Sequence, residues 1–222
     1  MAKSLLSVNQ KQFLSFFSSE KKLNEKFYFT GGTALSEYYL QHRYSEDLDF
    51  FSEEEINAKD ITLVIQSNKN KIKYKKIDYQ NPFNRNIYQL IYSDNKILKV
   101  EFTYFPFKQI EKPQIVNNIA IDSLIDIAVN KIFTIYQNPR GRDFYDLYFI
   151  QKKHPDLTIS RLKDLARLKF DFHIDYLQLG SNLAKVVKLK DDPILKSKIK
   201  NKEIQKFFLL EAAKLKDKII KD

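Results

Sequence analysis

The stretch FTGGTALSEYYLQHRYSEDLDFF, residues 29 to 51, concentrates side chains that could do chemistry. Asp47 and Asp49 flank Leu48 in a segment otherwise apolar enough for a buried strand. Alternate strand residues share a face, so Asp47, Asp49 and Phe51 point one way, Leu48 and Phe50 the other. Two carboxylates about 7 Å apart on one strand face can reach a common divalent cation. Without such a partner, their charge is costly to hold near a sheet core. Oxygen donors suit Mg²⁺, which takes one or two carboxylates, keeps some waters and fills its remaining positions with substrate phosphates. The segment KILKVEFTYF sorts by the same parity into Leu98, Val100, Phe102 and Tyr104 against Lys99, Glu101 and Thr103. If that strand pairs beside residues 47–51, Glu101 becomes a third carboxylate next to Asp47 and Asp49.

Gly31-Gly32-Thr33 supplies the other half of a phosphate site. Glycines let backbone approach a ligand closely, and a helix that follows offers unpaired N–H groups and a positive dipole end. Thr33 adds a hydroxyl, as helix cap or as phosphate donor. A lone D-x-D or a lone Gly-Gly carries little information. A strand, Gly-Gly-Thr, a helix, a short loop and a D-x-D-bearing strand, in that order, carries much more.

The elements that must position these residues follow from periodicity. Apolar residues at Leu5, Leu6, Phe13, Leu14, Phe16 and Phe17 predict an amphipathic helix within residues 4–22. KFYFT reads as a strand ending at Gly31, Thr33–His42 as a helix, and Asp47–Phe51 as the next strand. A helix over 61–67 precedes three strand-like runs, KIKYKKIDY, NIYQLIYS and KILKVEFTYF, with SDN as a hairpin turn. Pro106 and Pro113 close that block. From Ile121 the pattern is helical: a stripe over 121–137, a break at NPRG, a helix from DFYDLYFIQKK to His154-Pro155, then lysine-studded helices. The reading is an α/β protein, a mixed β-sheet flanked by helices over residues 1–115 and a helical C-terminal half over 116–222.

The ordered blocks resemble the nucleotidyltransferase superfamily, whose signature is G-G/S, a helix and D-x-D on the next strand. More narrowly, they are similar to the AbiEii/AbiGii type of nucleotidyltransferase toxin. That pattern, GGT-x-L followed by H-R-x-S-x-D-L-D-F, is matched by Gly31, Gly32, Thr33, Leu35, His42, Arg43, Ser45, Asp47, Leu48, Asp49 and Phe50. A further block, AVNKIFTIYQNPRGRDFYDLYFI, looks like the family's lysine helix followed by R-D-x-x-D-L. Nothing beyond residue 155 carries the resemblance. It implies a nucleotidyltransferase-type fold in which Asp47 and Asp49, with Glu101, bind Mg²⁺ and a nucleoside triphosphate. A hydroxyl would attack the α-phosphate and pyrophosphate would leave, the acceptor being tRNA in related toxins, which sit beside an antitoxin. The C-terminal half would then complete the active site.

Read alone, Lys131 lies on a stripe with Leu124, Ile127, Ala128 and Ile135, where a lysine either snorkels to solvent or meets an anion. The resemblance implies the second, with triphosphate oxygens as partner. Asp143 at a helix start is a natural N-cap, and Asp146 one turn on favours the dipole. The resemblance makes Asp143 a base or substrate-positioning group and turns Arg142 toward phosphate. Arg43 and Ser45 could contact phosphates too, although Arg43 could equally pair with Glu46 or Asp47. His42 reads as a helix C-terminal residue, and three scattered histidines make no zinc site.

Composition bounds the rest. The chain has 222 residues, 43% hydrophobic, and no cysteine, so disulfides and thiolate metal sites are excluded. Walker A, G-x-S-x-G and H-E-x-x-H motifs do not occur. The N-terminal run is too polar for a secretory signal or a membrane span, and a cytoplasmic, monomeric protein is expected. Net charge is +10, and residues 152–222 alone hold 18 basic against 10 acidic side chains. Such a lobe suits RNA; it equally describes a solvated, lysine-rich surface. The leading expectation is Mg²⁺-dependent transfer of a nucleotide to RNA. The alternatives are a protein or small-molecule acceptor, and a catalytically silent nucleic-acid-binding protein.

Overall fold

The computed structural model describes residues 4–189, 191, 193–196 and 199–219. The chain divides into two compact units, residues 1–39 with 45–123, and 40–44 with 124–222.

In the first unit, helix α1 (Val8–Ser19) starts from a capping box: Ser7 Oγ accepts from the Gln10 amide and Gln10 Oε1 accepts from the Ser7 amide. The short α2 (Lys21–Asn24) leads into β1 (Tyr28–Thr30). Next, α3 (Gly31–Ala34) continues as a wider π-helical segment, Leu35–Leu40. After β2 (Leu48–Ser52) come α4 (Ala58–Ser67), α5 (Lys69–Ile72), β3 (Lys76–Gln80), β4 (Arg85–Ile91), β5 (Ile97–Tyr104), β6 (Gln114–Val116) and β7 (Ile119–Ile121). They form one seven-stranded sheet, order β3-β4-β5-β2-β1-β7-β6, in which β2–β5 and β1–β7 are parallel and the other pairs antiparallel.

The parity read from sequence holds. Leu48, Phe50, Leu98, Val100 and Phe102 are buried, and Phe50 stacks between Phe17 of α1 and Phe102, with centroids 4.2 and 5.1 Å away. Phe29 of β1 joins them, 5.2 Å from Phe50. This aromatic layer ties one sheet face to α1 by area burial and offset ring contacts. The opposite face is left for polar work.

Two local expectations are corrected. KIKYKKIDY is not one strand: Ile72 ends α5, Lys73 caps it at φ 63°, and only Lys76–Gln80 pairs. Ile72 and Tyr74 are buried around that turn, so their alternation imitates a strand. The sheet also continues past residue 115, because Asn117 and Asn118, at φ 49° and 60°, turn β6 back as β7 beside β1.

The second unit is helical. It contains α6 (Leu124–Gln137), α7 (Gly141–Lys153), α8 (Ile159–Phe170), α9 (Tyr176–Ala184), a 3₁₀ turn (Lys185–Val187) and α10 (Asn201–Ile219). Thr158 caps α8 and Asp175 caps α9 through their side-chain oxygens. Residues 42–44 run antiparallel to 194–196, through Tyr44 N to Ile194 O at 2.9 Å and Lys196 N to His42 O at 2.9 Å. Among the described residues no helix is long and apolar enough to cross a membrane.

Candidate active site

Register assembles the polar face of the first unit. Thr30 of β1 lies opposite Asp49 of β2, and Asp49 opposite Glu101 of β5. Asp47 stands just ahead of β2, its Oδ2 at 2.8 Å from Lys99 Nζ. Both aspartates are half-buried. One row further, Thr30 Oγ1 donates to Asp122 Oδ2 at 2.6 Å and Gln109 Nε2 to Asp122 Oδ1 at 2.7 Å.

Gly31 answers Asp49 directly. Its φ is +76°, and a Cβ there would run into the Asp49 carboxylate. The glycine thus serves two ends, a left-handed turn into the helix and room for a carboxylate at that helix's start. Thr33 Oγ1 donates to the Asp47 carbonyl, so its hydroxyl clamps the helix start onto the D-x-D segment. Ser45 is held through its carbonyl, which accepts from Gln10 Nε2 at 2.9 Å. Gly31→Ala is expected to cost at least roughly 1–2 kcal/mol from the left-handed backbone alone. At about 2–4 °C per kcal/mol for a chain of this length, thermal melting will show it. Unchanged melting would mean that the turn relaxes freely.

Glu101 arrives in the expected register, but its oxygens are taken. Arg85 of β4 grips Oε1 through Nε and Oε2 through Nη2, each at 2.6 Å, and Thr103 Oγ1 donates to Oε1 at 2.9 Å. Burial would push this carboxyl up; Arg85, Thr103 and the nearby Lys99 outweigh it and hold the group below its ordinary range. Among the described residues, no set of three His, Asp or Glu side chains stands ready to hold a metal ion. Asp47 and Asp49 fit a hard divalent cation, being carboxylates either side of Leu48 with Gly31 giving Asp49 space. Glu101 is engaged by Arg85 and Thr103, as Asp47 is by Lys99.

The second unit gathers a different set. Asp146 of α7 is fully buried and accepts from His42 Nε2 at 2.8 Å, Arg43 Nε at 2.6 Å, Arg43 Nη2 at 2.9 Å and Lys131 Nζ at 2.7 Å. Asp143, equally buried, takes Lys131 Nζ at 2.7 Å and Arg140 Nε at 2.7 Å. Burial alone would raise both carboxyls. Lys131 with Arg43 and His42 drives Asp146 well below the ordinary range, and Lys131 with Arg140 lowers Asp143.

His42 and Arg43 both pair with Asp146. The N-cap of α7 is Arg140, so Asp143 sits inside the first turn. Lys131 meets two anions within the protein, Asp143 and Asp146. Arg142 lies half-buried on α7. Sequence reasoning passed over Arg85, Lys99, Arg140 and Asp122. Strand parity already put Lys99 on the face of Glu101; the others needed pairing partners that spacing does not give.

A glycine-opened helix beside a D-x-D strand, on a mixed sheet followed by helices, defines a nucleotidyltransferase. The family model described as nucleotidyl transferase AbiEii toxin, type IV toxin–antitoxin system, matches residues 13–219, and the chain belongs to that family. An uncharacterised protein of Aquifex aeolicus is 30% identical over 161 residues, 67% of this chain and 69% of that protein. The fold is shared with JHP933 from Helicobacter pylori, at 23% identity and TM-score 0.61 over 96% of this chain and 92% of that one. A candidate nucleotidyltransferase from the same organism gives 23% and 0.62, over 97% and 98%.

Proposed function

We propose that this toxin-family nucleotidyltransferase moves a nucleotide from a nucleoside triphosphate to a hydroxyl on RNA of the tRNA class, with Mg²⁺ held by Asp47 and Asp49. The observation that carries the reading is the Asp49 carboxylate seated against Gly31 at the start of a helix. Backbone there can approach a phosphate closely, and helix-start N–H groups favour its charge. A divalent cation bound by the two aspartates would neutralise charge on the transferring phosphate and the leaving pyrophosphate. The Thr33 hydroxyl, donating to the Asp47 carbonyl, would keep helix and D-x-D segment in register around a substrate. Positioning and electrostatics of this kind supply most of the acceleration in such transfers.

RNA as acceptor is supported by charge. Residues 152–222 carry 18 basic and 10 acidic side chains, and Arg140 keeps its guanidinium 43% exposed while bonded to Asp143. A polyanion would release counterions from such a surface. An antitoxin partner accords with the family. The test is incubation with each α-³²P-labelled nucleoside triphosphate, Mg²⁺ and total tRNA. Label entering tRNA names the nucleotide, and tRNA affinity is expected to fall steeply between 50 and 200 mM salt, as ~10³-fold losses are seen for several phosphate contacts. Triphosphate binding with no labelled RNA would instead point to a protein or small-molecule acceptor.

A further inference from the structure

We propose that Arg85 is a phosphate-binding residue of the polar sheet face, and that Glu101 is the positioning residue that aims it. The inference rests on the nucleotidyltransferase reading for the identity of the anion, and on geometry for everything else.

Register places the pair. Arg85 opens β4 opposite Thr103, and Ile87 lies opposite Glu101, so Arg85 shares its face with Lys99, Glu101 and Thr103. The guanidinium meets Glu101 with Nε and Nη2, one edge of its fork, at 2.6 Å to each oxygen. Its other edge, both N–H groups of Nη1 and the second of Nη2, has no protein partner among the described residues, and the side chain is 46% exposed. Glu101, by contrast, is 6% exposed and braced by Thr103.

That asymmetry is informative. An exposed ion pair contributes little, and burying a carboxylate is costly where an apolar side chain such as neighbouring Ile87 already packs. A buried acid that holds a half-exposed arginine rigid does something else: it removes rotamer freedom from the cation before the ligand arrives. A guanidinium so held presents a planar, bidentate edge, the geometry that matches phosphate oxygens. Lys99 adds a second cation, 2.8 Å from Asp47 and 3.8 Å from Glu101. Asp47 and Glu101, which would otherwise repel a polyanion, are thus each accompanied by a positive group. Two phosphates could occupy the free edge, one of the nucleoside triphosphate or one of the acceptor strand.

The variants R85A, R85K and E101Q distinguish these sources. Inorganic triphosphate binding is followed by calorimetry, labelled total tRNA binding by anisotropy, and Mn²⁺ binding by electron paramagnetic resonance. In R85A, one of the two affinities is expected to fall about tenfold or more, the size of a lost charge-assisted contact. A loss in the triphosphate arm assigns the nucleotide. A loss in the tRNA arm, with the salt slope reduced by about one, assigns the acceptor backbone. R85K is expected to recover part of the loss, and E101Q to show a smaller loss in the same arm with Mn²⁺ affinity unchanged. Wild-type affinity for both probes in R85A overturns the proposal, as does an E101Q variant that loses Mn²⁺. A wild-type protein that binds neither probe removes the nucleotidyltransfer reading along with it. If R85A fails to fold by circular dichroism, R85K and E101Q decide on the same criteria.

Discussion

Asp49→Asn is expected to abolish nucleotidyl transfer while leaving melting unchanged or slightly raised. Asparagine keeps the volume that Gly31 makes room for, so the close approach of helix start and strand survives. What it removes is charge, beside Asp47 along the strand and Glu101 across it. Relief of like-charge crowding offsets any lost hydrogen bond. Losing a single well-placed electrostatic group at a transfer site costs about 10²–10³ in rate, and a lost metal ligand belongs at or beyond the upper end. Initial rates with the labelled triphosphate, paired with a thermal melt, check this. A variant with the wild-type rate would remove Asp49 from the site; one that melts early would recast it as a structural residue.

Asp146→Asn should be the most damaging isosteric change for stability, by about 3–5 kcal/mol, the cost of stranding a buried cation. Arg43 is 3% exposed and would lose the carboxylate that meets both Nε and Nη2, while Lys131 would retain only Asp143. The effect depends on pH in a definite direction. The Asp146 carboxyl lies well below its ordinary value of 3.8 when folded, so the unfolded chain binds the proton more readily. Its stabilisation is present above that ordinary value and disappears as pH falls through the folded pKa. In urea titrations the gap between wild type and variant should be full at pH 7 and shrink below about pH 4. A gap under about 1 kcal/mol at neutral pH would mean that the network is solvated after all.

How legible all this was depends on the range of each interaction. Period-two alternation put Leu48 and Phe50 on one face and the aspartates on the other, and the same parity for 98–104 anticipated the Asp49–Glu101 register. Those are local properties of side-chain order. Arg43 and Asp146 stand 103 residues apart, and charge choice at that distance leaves no spacing to read. Glu101 shows the limit most clearly: its position was foreseeable, its partner was not, because Arg85 reaches it diagonally from a strand entered sixteen residues earlier. The strand pair β6–β7, three residues each, was too short for any period, although the Asn117-Asn118 pair between them is a hairpin-turn signal.

The five residues 40–44 belong with the helical unit although the sheet unit surrounds them in sequence. This has a consequence for how the molecule comes together. A polypeptide cut after residue 123 separates Asp146 from both His42 and Arg43. It also leaves residues 194–196 without the strand they pair with. The helices therefore cannot mature on the ribosome independently of what was synthesised first; an early segment has to wait, open, for partners more than a hundred residues later. Contacts between segments so far apart in sequence are of the non-local kind that accompanies slower folding. Dissection of the protein into a catalytic piece and a helical piece will fail at that point, unless residues 40–44 travel with the helices.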